Sequence, residues 1–122
     1  MLEKSAVELF GMKVAHVGIN ATNEAESAAW AKEFLELMGL PTRETSASKF
    51  CGELVEIMNE NGRGVHGHIG FTVNNMDKAL EYFSNKGMTP VEETKKFDEN
   101  GKCWFTYFKE QIGGFAIHIV RE

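Results

Sequence analysis

The chain has 122 residues, with 13 lysines and arginines against 18 aspartates and glutamates, a formal charge of −5 and 43% hydrophobic residues. That is the size and composition of one globular domain, and a net negative chain without a basic cluster makes no phosphate-reading nucleic-acid surface. No apolar run approaches the roughly 18–20 residues that cross a bilayer, and residues 1–12 lack the apolar core of a secretory signal. A cytoplasmic protein is expected, with Cys51 and Cys103 as reduced thiols.

Within residues 1–12, Ala6, Val7, Leu9 and Phe10 are available to pack, although the sequence fixes no partner for them. Val14 to Asn20 alternates in polarity and predicts a strand. Asn23-x-x-Glu26 reads as a capping box. Trp30, Phe34, Leu37 and Met38 follow at helical spacing until Gly39 and Pro41 stop the helix. A turn is expected through Ser46 to Ser48, then an apolar strand from Leu54 to Met58 that ends at Asn59-Glu60-Asn61-Gly62. His68 to Val73 predicts another strand. Asn75 caps a second helix, with Met76, Ala79, Leu80 and Phe83 on one face and Gly87 at its end. Strands are expected at Val91 to Thr94, Lys102 to Phe108 and Phe115 to Val120, with turns at Asp98-Glu99-Asn100-Gly101 and Gly113-Gly114.

The order is β-α-β-β-β, written twice. His16-Val17-Gly18-Ile19 and His68-Ile69-Gly70-Phe71 lie 52 residues apart, and Gly39-Leu40-Pro41-Thr42 is answered by Gly87-Met88-Thr89-Pro90 at an offset of 48. A near-constant offset marks a duplicated supersecondary unit. The expected fold is α+β: two βαβββ modules, residues 13–65 and 66–122, forming a curved mixed-sheet cleft, with residues 1–12 as an extension. Each module leaves one sheet face bare opposite its helix. Two bare faces together enclose a cleft, and a functional site belongs there.

Of the four histidines, His16, His68 and His118 sit in apolar strands, and His16 and His68 hold equivalent repeat positions. Leu54-Val55-Glu56-Ile57-Met58 and Phe115-Ala116-Ile117-His118-Ile119 each set one ionisable residue among apolar neighbours in the last strand of a half. A carboxylate is costly to bury there unless paired or coordinated. Three imidazoles and one carboxylate converging on a cleft make a ligand set for Zn, Ni, Co, Mn or Fe(II), with positions left for water or substrate. A lone histidine on an apolar strand more often bonds to backbone; four residues at two pairs of duplicated positions shift the balance toward a site. His66 reads as a rim residue. Arg43, Lys49, Lys102 and Lys109 are available to an anionic substrate, though scattered cations are usually solvated. Phe71, Phe105, Tyr107 and Phe115 are cleft-lining candidates whose ordinary fate is core.

At these residues the chain resembles the vicinal oxygen chelate superfamily, the glyoxalase, bleomycin-resistance and dioxygenase proteins, over residues 13–122. The resemblance is carried by the paired modules, the His-led first strands, the Val73-Asn74-Asn75-Met76-Asp77 entry to the second helix and Tyr107-Phe108-Lys109. It implies metal ligands on the first and last strands of each module, which fall at His16, Glu56, His68 and His118. A narrower resemblance links His16-Val17-Gly18-Ile19-Asn20, Gly67-His68-Ile69 and the Ile112 to His118 segment to a module fused after some bacterial ketodeoxyphosphogluconate-type aldolases. There, Glu8 to Gly11 echoes a linker.

The resemblance implies a divalent-metal, glyoxalase-like isomerase, epimerase or lyase. Its substrate would be a small molecule with vicinal oxygens, Glu56 or His118 would carry the proton, and the protein would be a homodimer. His118 departs from the pattern, since glyoxalase I and related epimerases usually place a proton-shuttling carboxylate there; lactoylglutathione chemistry is therefore not expected. Two alternatives stand beside this one. The first is a non-catalytic ligand-binding or sequestering module, and the second an Fe(II) extradiol dioxygenase using two histidines and one glutamate.

Overall fold

The computed structural model describes residues 3–122. After a short helix α1 (Ala6–Phe10), the first half runs β1 (Lys13–Asn20), α2 (Glu24–Met38), β2 (Thr42–Glu44), β3 (Ser48–Cys51) and β4 (Val55–Met58). The second runs β5 (Gly67–Val73), α3 (Met76–Asn85), β6 (Lys96–Phe97), β7 (Cys103–Ile112) and β8 (Phe115–Arg121). The helices start where polar caps meet the orphan N–H groups of a first turn: Asn23 Oδ1 accepts from Glu26 N at 2.9 Å and Asn75 Oδ1 from Lys78 N at 3.0 Å. Glu26 reaches back one residue further than a capping box requires, accepting from Thr22 N and Oγ1 instead. Gly39, at φ 74°, ends α2 in the left-handed conformation that glycine adopts without steric cost.

The eight strands of the described residues join one sheet in the order β2-β3-β4-β1-β5-β8-β7-β6. The β1–β4 and β5–β8 pairs are parallel and the rest antiparallel. The two halves therefore meet edge to edge along β1 and β5, and their bare faces become one continuous surface. On the other face, strand alternation buries Cys51 and Ile57 with Ala31, Trp30 and Phe34 of α2. Val73, Phe108, Ile117 and Ile119 pack likewise with Met76 and Ala79 of α3. Cys51 and Cys103 are free and buried, one in each of these cores. Among the described residues no helix is long and apolar enough to cross a membrane.

Several expectations change in detail. Ser48 begins a strand instead of closing a turn, and Leu54 stays outside β4 as an exposed side chain. Val91 to Thr94 is not a strand. Glu92–Thr94 forms a 3-10 turn in which Thr94 Oγ1 donates to Val91 O at 2.7 Å and accepts from Tyr107 N at 3.0 Å, so a side chain takes over what a ladder would have supplied. β7 runs on to Ile112, with an irregular register between Tyr107 and Gln111. Lys49, expected at the surface, points into the α2 side of the sheet, where its Nζ donates to Asn59 Oδ1 at 2.7 Å and Ser27 Oγ at 2.9 Å.

Residues 3–12 also find a place. Ser5 and Glu8 form a reciprocal capping box, and Gly11 closes α1. Phe10 at its end is fully buried, with ring centroids 5.5 Å from Tyr82 and 5.9 Å from Phe83 of α3. The segment before the repeat completes the core of the second half.

Candidate metal centre

Sheet register decides which side chains meet on the open face. In the antiparallel β1–β5 seam His16 pairs with Gly70 and Gly18 with His68. The flanking parallel pairs then set Glu56 beside Gly18 and His118 beside Gly70. The result is two short rows, Glu56–Gly18–His68 and His16–Gly70–His118, each with a glycine at its middle. That glycine leaves room for the rings. A Cβ on Gly18 would overlap the His68 imidazole, with Nε2 at 2.6 Å; one on Gly70 would overlap the His118 ring and stand 2.9 Å from His16 Cε1. Neither glycine has a left-handed φ, so the position demands space and not backbone freedom.

The side-chain tips converge. His16 Nε2 lies 3.1 Å from His68 Nε2 and 3.3 Å from His118 Nε2. Glu56 Oε1 lies 3.0 Å from His68 Nε2 and 3.5 Å from His16 Nε2. Ser48 Oγ donates to the other carboxylate oxygen, Oε2, at 2.6 Å, which fixes the carboxylate with Oε1 turned inward. His68 and His118 are buried, whereas the His16 and Glu56 side chains keep 19% and 14% exposure, so the cluster reaches solvent on their side. His118 Nδ1 is buried without a hydrogen-bond partner. Its ring is held instead by packing against Phe105 and Tyr107, at 4.8 Å and 5.0 Å.

This donor set fits a cation. A neutral imidazole carries one N–H, yet His16 Nε2 alone faces two other ring nitrogens and a carboxylate oxygen, more partners than one proton can satisfy. The ligand nitrogens of His16, His68 and His118 lie within 4.8 Å of one another, with Glu56 Oε1 against two of them, and imidazoles grouped in this way are the chemistry of a borderline divalent metal.

Burial dominates the electrostatics. It pushes His118 down to about 3, and the neighbouring His16 and His68 add to the effect. Burial also lowers His16; Glu56 pulls it upward and His68 pushes it further down. Burial alone would raise Glu56, but hydrogen bonds from His68 and Ser48 and the two imidazoles outweigh it, so the carboxyl sits below its ordinary range. Burial and the nearby Glu56 raise Tyr107 to about 12.

These shifts carry a sign for the metal-free protein. As pH falls below the ordinary imidazole value of about 6.5, the unfolded chain takes a proton at residue 118 that the folded chain refuses until about pH 3. Glu56, depressed in the folded state, acts in the same direction. Stability of the metal-free protein is therefore expected to drop by roughly 3 kcal/mol between pH 7 and pH 4. Urea melts across that range check it, and a flat profile contradicts it.

Other sequence candidates separate by face. Phe105 and Tyr107 line the open face beside His118, while Phe71 packs into the α3 core and Phe115 sits near the exposed His66. His66 stays outside the cluster, at the mouth of β5, its N–H bonded to Gly114 O. Of the four cations considered, Arg43 lies over Phe50, Lys49 is buried on the helix side, and Lys102 and Lys109 are exposed. Sequence reasoning passed over Gly18, Gly70, Ser48, Phe50, Arg63 and Lys96. Only the glycines had a visible signal, the His-x-Gly written once in each half.

The sequence matches no protein-family model and no curated protein. Solved structures do match in shape. Methylmalonyl-CoA epimerase from Mycobacterium tuberculosis has 15% identity over 99% of this chain and 92% of its own, with a TM-score of 0.58. A variant of Streptomyces coelicolor methylmalonyl-CoA epimerase in complex with 2-nitronate-propionyl-CoA has 16% identity over 90% of this chain and 94% of its own, at 0.59. Homoprotocatechuate 2,3-dioxygenase from Arthrobacter globiformis has 14% identity and a TM-score of 0.61; the match covers 90% of this chain but 36% of the dioxygenase. At such identities the likeness defines a fold. It is the glyoxalase-like fold of vicinal oxygen chelate proteins, the α+β architecture expected from the repeat.

Proposed function

We propose that His16, Glu56, His68 and His118 hold a divalent metal ion, and that the protein is a glyoxalase-type isomerase, epimerase or lyase acting on a small molecule with vicinal oxygens. The reading rests on one observation: each of the four side chains, from the first and last strands of both halves, lies 3.0–3.5 Å from at least one other, and two of these contacts span 52 and 102 residues of chain. The set suits Zn, Ni, Co, Mn or Fe(II). When bound, such an ion supplies Lewis acidity that polarises substrate oxygens.

The chain's own residues divide the remaining work. Ser48 orients Glu56. Glu56, held ionised and open to solvent, is the side chain best positioned to carry a proton at a carbon beside the polarised oxygen, with His118 behind it as the buried second candidate. Phe50 packs against His16, and Phe105 and Tyr107 against His118, leaving the cluster open to water on the His16 and Glu56 side. By the same resemblance residues 13–65 and 66–122 act as one domain of a cytoplasmic homodimer, and the two free buried thiols suit a reducing compartment.

Metal analysis tests the ligand assignment. Protein expressed without a His tag and dialysed is expected to retain near-stoichiometric metal, and His16→Ala to lose affinity by tenfold or more. Substoichiometric metal in both overturns the reading. One observation favours a second function: among the described residues Glu56 is the one carboxylate touching the imidazoles, so its full commitment as a ligand leaves no carboxylate to move a proton. A non-catalytic binding module would show ligand-induced thermal stabilisation without turnover across oxo-acid, sugar-acid and aldehyde-thiol panels. Oxygen uptake with catechols separates the Fe(II) ring-cleaving alternative, which asks for two histidines where three converge.

A further inference from the structure

We propose that the substrate is a small oxyanion, carrying a carboxylate or phosphate group, and that Arg43, Arg63 and Lys96 form the rim that receives its charge. The inference rests on the functional reading above and adds the class of molecule the centre acts on.

The three cations share one arrangement, in which each lies over an aromatic ring that itself packs against an imidazole of the cluster. Arg43 on β2 places its guanidinium 4.5 Å from the centroid of Phe50, whose ring meets His16 edge-on at 5.7 Å. Register carries this outward from the centre, since Arg43 pairs with Phe50 and Phe50 with Glu56. Arg63, in the connection between the halves, lies 5.2 Å over Tyr107, and that ring is 5.0 Å from His118 and 6.2 Å from His68. Lys96 on β6 sits 4.7 Å over Phe105, which is 4.8 Å from His118. Arg43 and Lys96 stand on the two edge strands of the sheet, so the rim draws on both ends of the chain's fold.

These charges are uncommitted. Among the described residues none of the three has a carboxylate within 4.0 Å, whereas Lys13, Lys32, Lys86, Lys95 and Arg121 are all paired with one. In a chain of net charge −5, three unpaired cations held on rings around one centre concentrate positive potential where the rest of the surface is acidic. Glu56 brings one negative charge to the same face, which a bound divalent ion would offset. Lys96 is felt at His118 and Arg63 at Tyr107, so both charges reach the floor of the face. Arginine's planar fork matches a carboxylate or phosphate edge, and an ammonium adds a point charge opposite. A molecule with vicinal oxygens at the centre and an anionic group toward one of these cations would fit both observations.

Titration calorimetry with malonate, inorganic phosphate and neutral malonamide tests this, using protein as purified and again after metal removal. Malonate or phosphate is expected to bind, malonamide not, and whichever anion binds tighter identifies the group recognised. The triple variant R43Q/R63Q/K96Q is expected to weaken anion binding by about tenfold or more with unchanged metal content, since each partly exposed charge contributes a fewfold factor. K96Q alone, on an exposed two-residue strand, is expected to cost about threefold and serves if the triple variant does not fold. Malonate and malonamide binding alike, or variants binding anions as wild type does, overturns the rim. The metal-free arm keeps the two proposals apart. A rim effect that persists there supports the rim even where wild-type metal analysis has failed, and its absence with metal bound removes the rim alone.

Discussion

Gly70→Ala is expected to abolish tight metal binding while leaving a folded protein. The new methyl group would overlap the His118 ring and press on His16 Cε1 at 2.9 Å, so two of the four proposed ligands must move. His16 is partly exposed and can rotate aside, whereas the buried His118 ring must shift against Phe105 and Tyr107. The stability cost should stay near the roughly 1–3 kcal/mol of an overpacked position. Metal affinity has no such escape, because ligand geometry must hold to within tenths of an ångström, and a loss of at least 10–100-fold is expected. Gly18→Ala should do the same through His68 alone. Metal content by mass spectrometry, read beside a thermal melt, checks both. A Gly70→Ala protein that keeps its metal would show that the imidazoles do not gather over this glycine.

The second large effect lies on the opposite side of the sheet. Phe10→Ala should cost roughly 3–5 kcal/mol, lowering the melting temperature by roughly 10–20 °C. Phe10 has no exposed surface, its ring meets Tyr82 and Phe83 edge-on, and its carbonyl accepts from Asn74 N at 2.9 Å at the entry to α3. Removing the ring leaves a void among residues already fixed by the sheet and α3, and a well-ordered surround collapses poorly into such a void. Metal content should not change, because α1 never reaches the open face. A shift of less than about 1 kcal/mol in chemical denaturation would mean that α1 only rests on the surface.

The two variants also mark where the sequence was readable. The His-x-Gly repeat was visible, and it led to the pairing of the halves and to the convergence of His16, Glu56, His68 and His118. The purpose of the glycines was not visible, since it depends on the antiparallel β1–β5 register, a tertiary fact that sets each glycine across from the other half's histidine. Phe10 looked like a spare apolar residue because its partners, Tyr82 and Phe83, lie more than seventy positions away. Thr94 hid a turn inside a run of strand-like residues by spending its hydroxyl on Val91 O and Tyr107 N. Lys49 looked solvated, although one position of strand parity places it under α2 with Ser27 and Asn59. Local periodicity reports which elements form; register and parity decide what each side chain touches.

The seam between β1 and β5 relates the halves almost as mirror-less twins, and the twins differ at one corner. Glu56 flanks Gly18 and His118 flanks Gly70, so the same place in the duplicated plan carries an anion on one hand and a shielded neutral ring on the other. Equal corners would make the two ends of a guest interchangeable. With unequal corners, a molecule seated on this floor would meet a carboxylate at one end and a neutral ring at the other, so which way round it lies would follow from that single divergence.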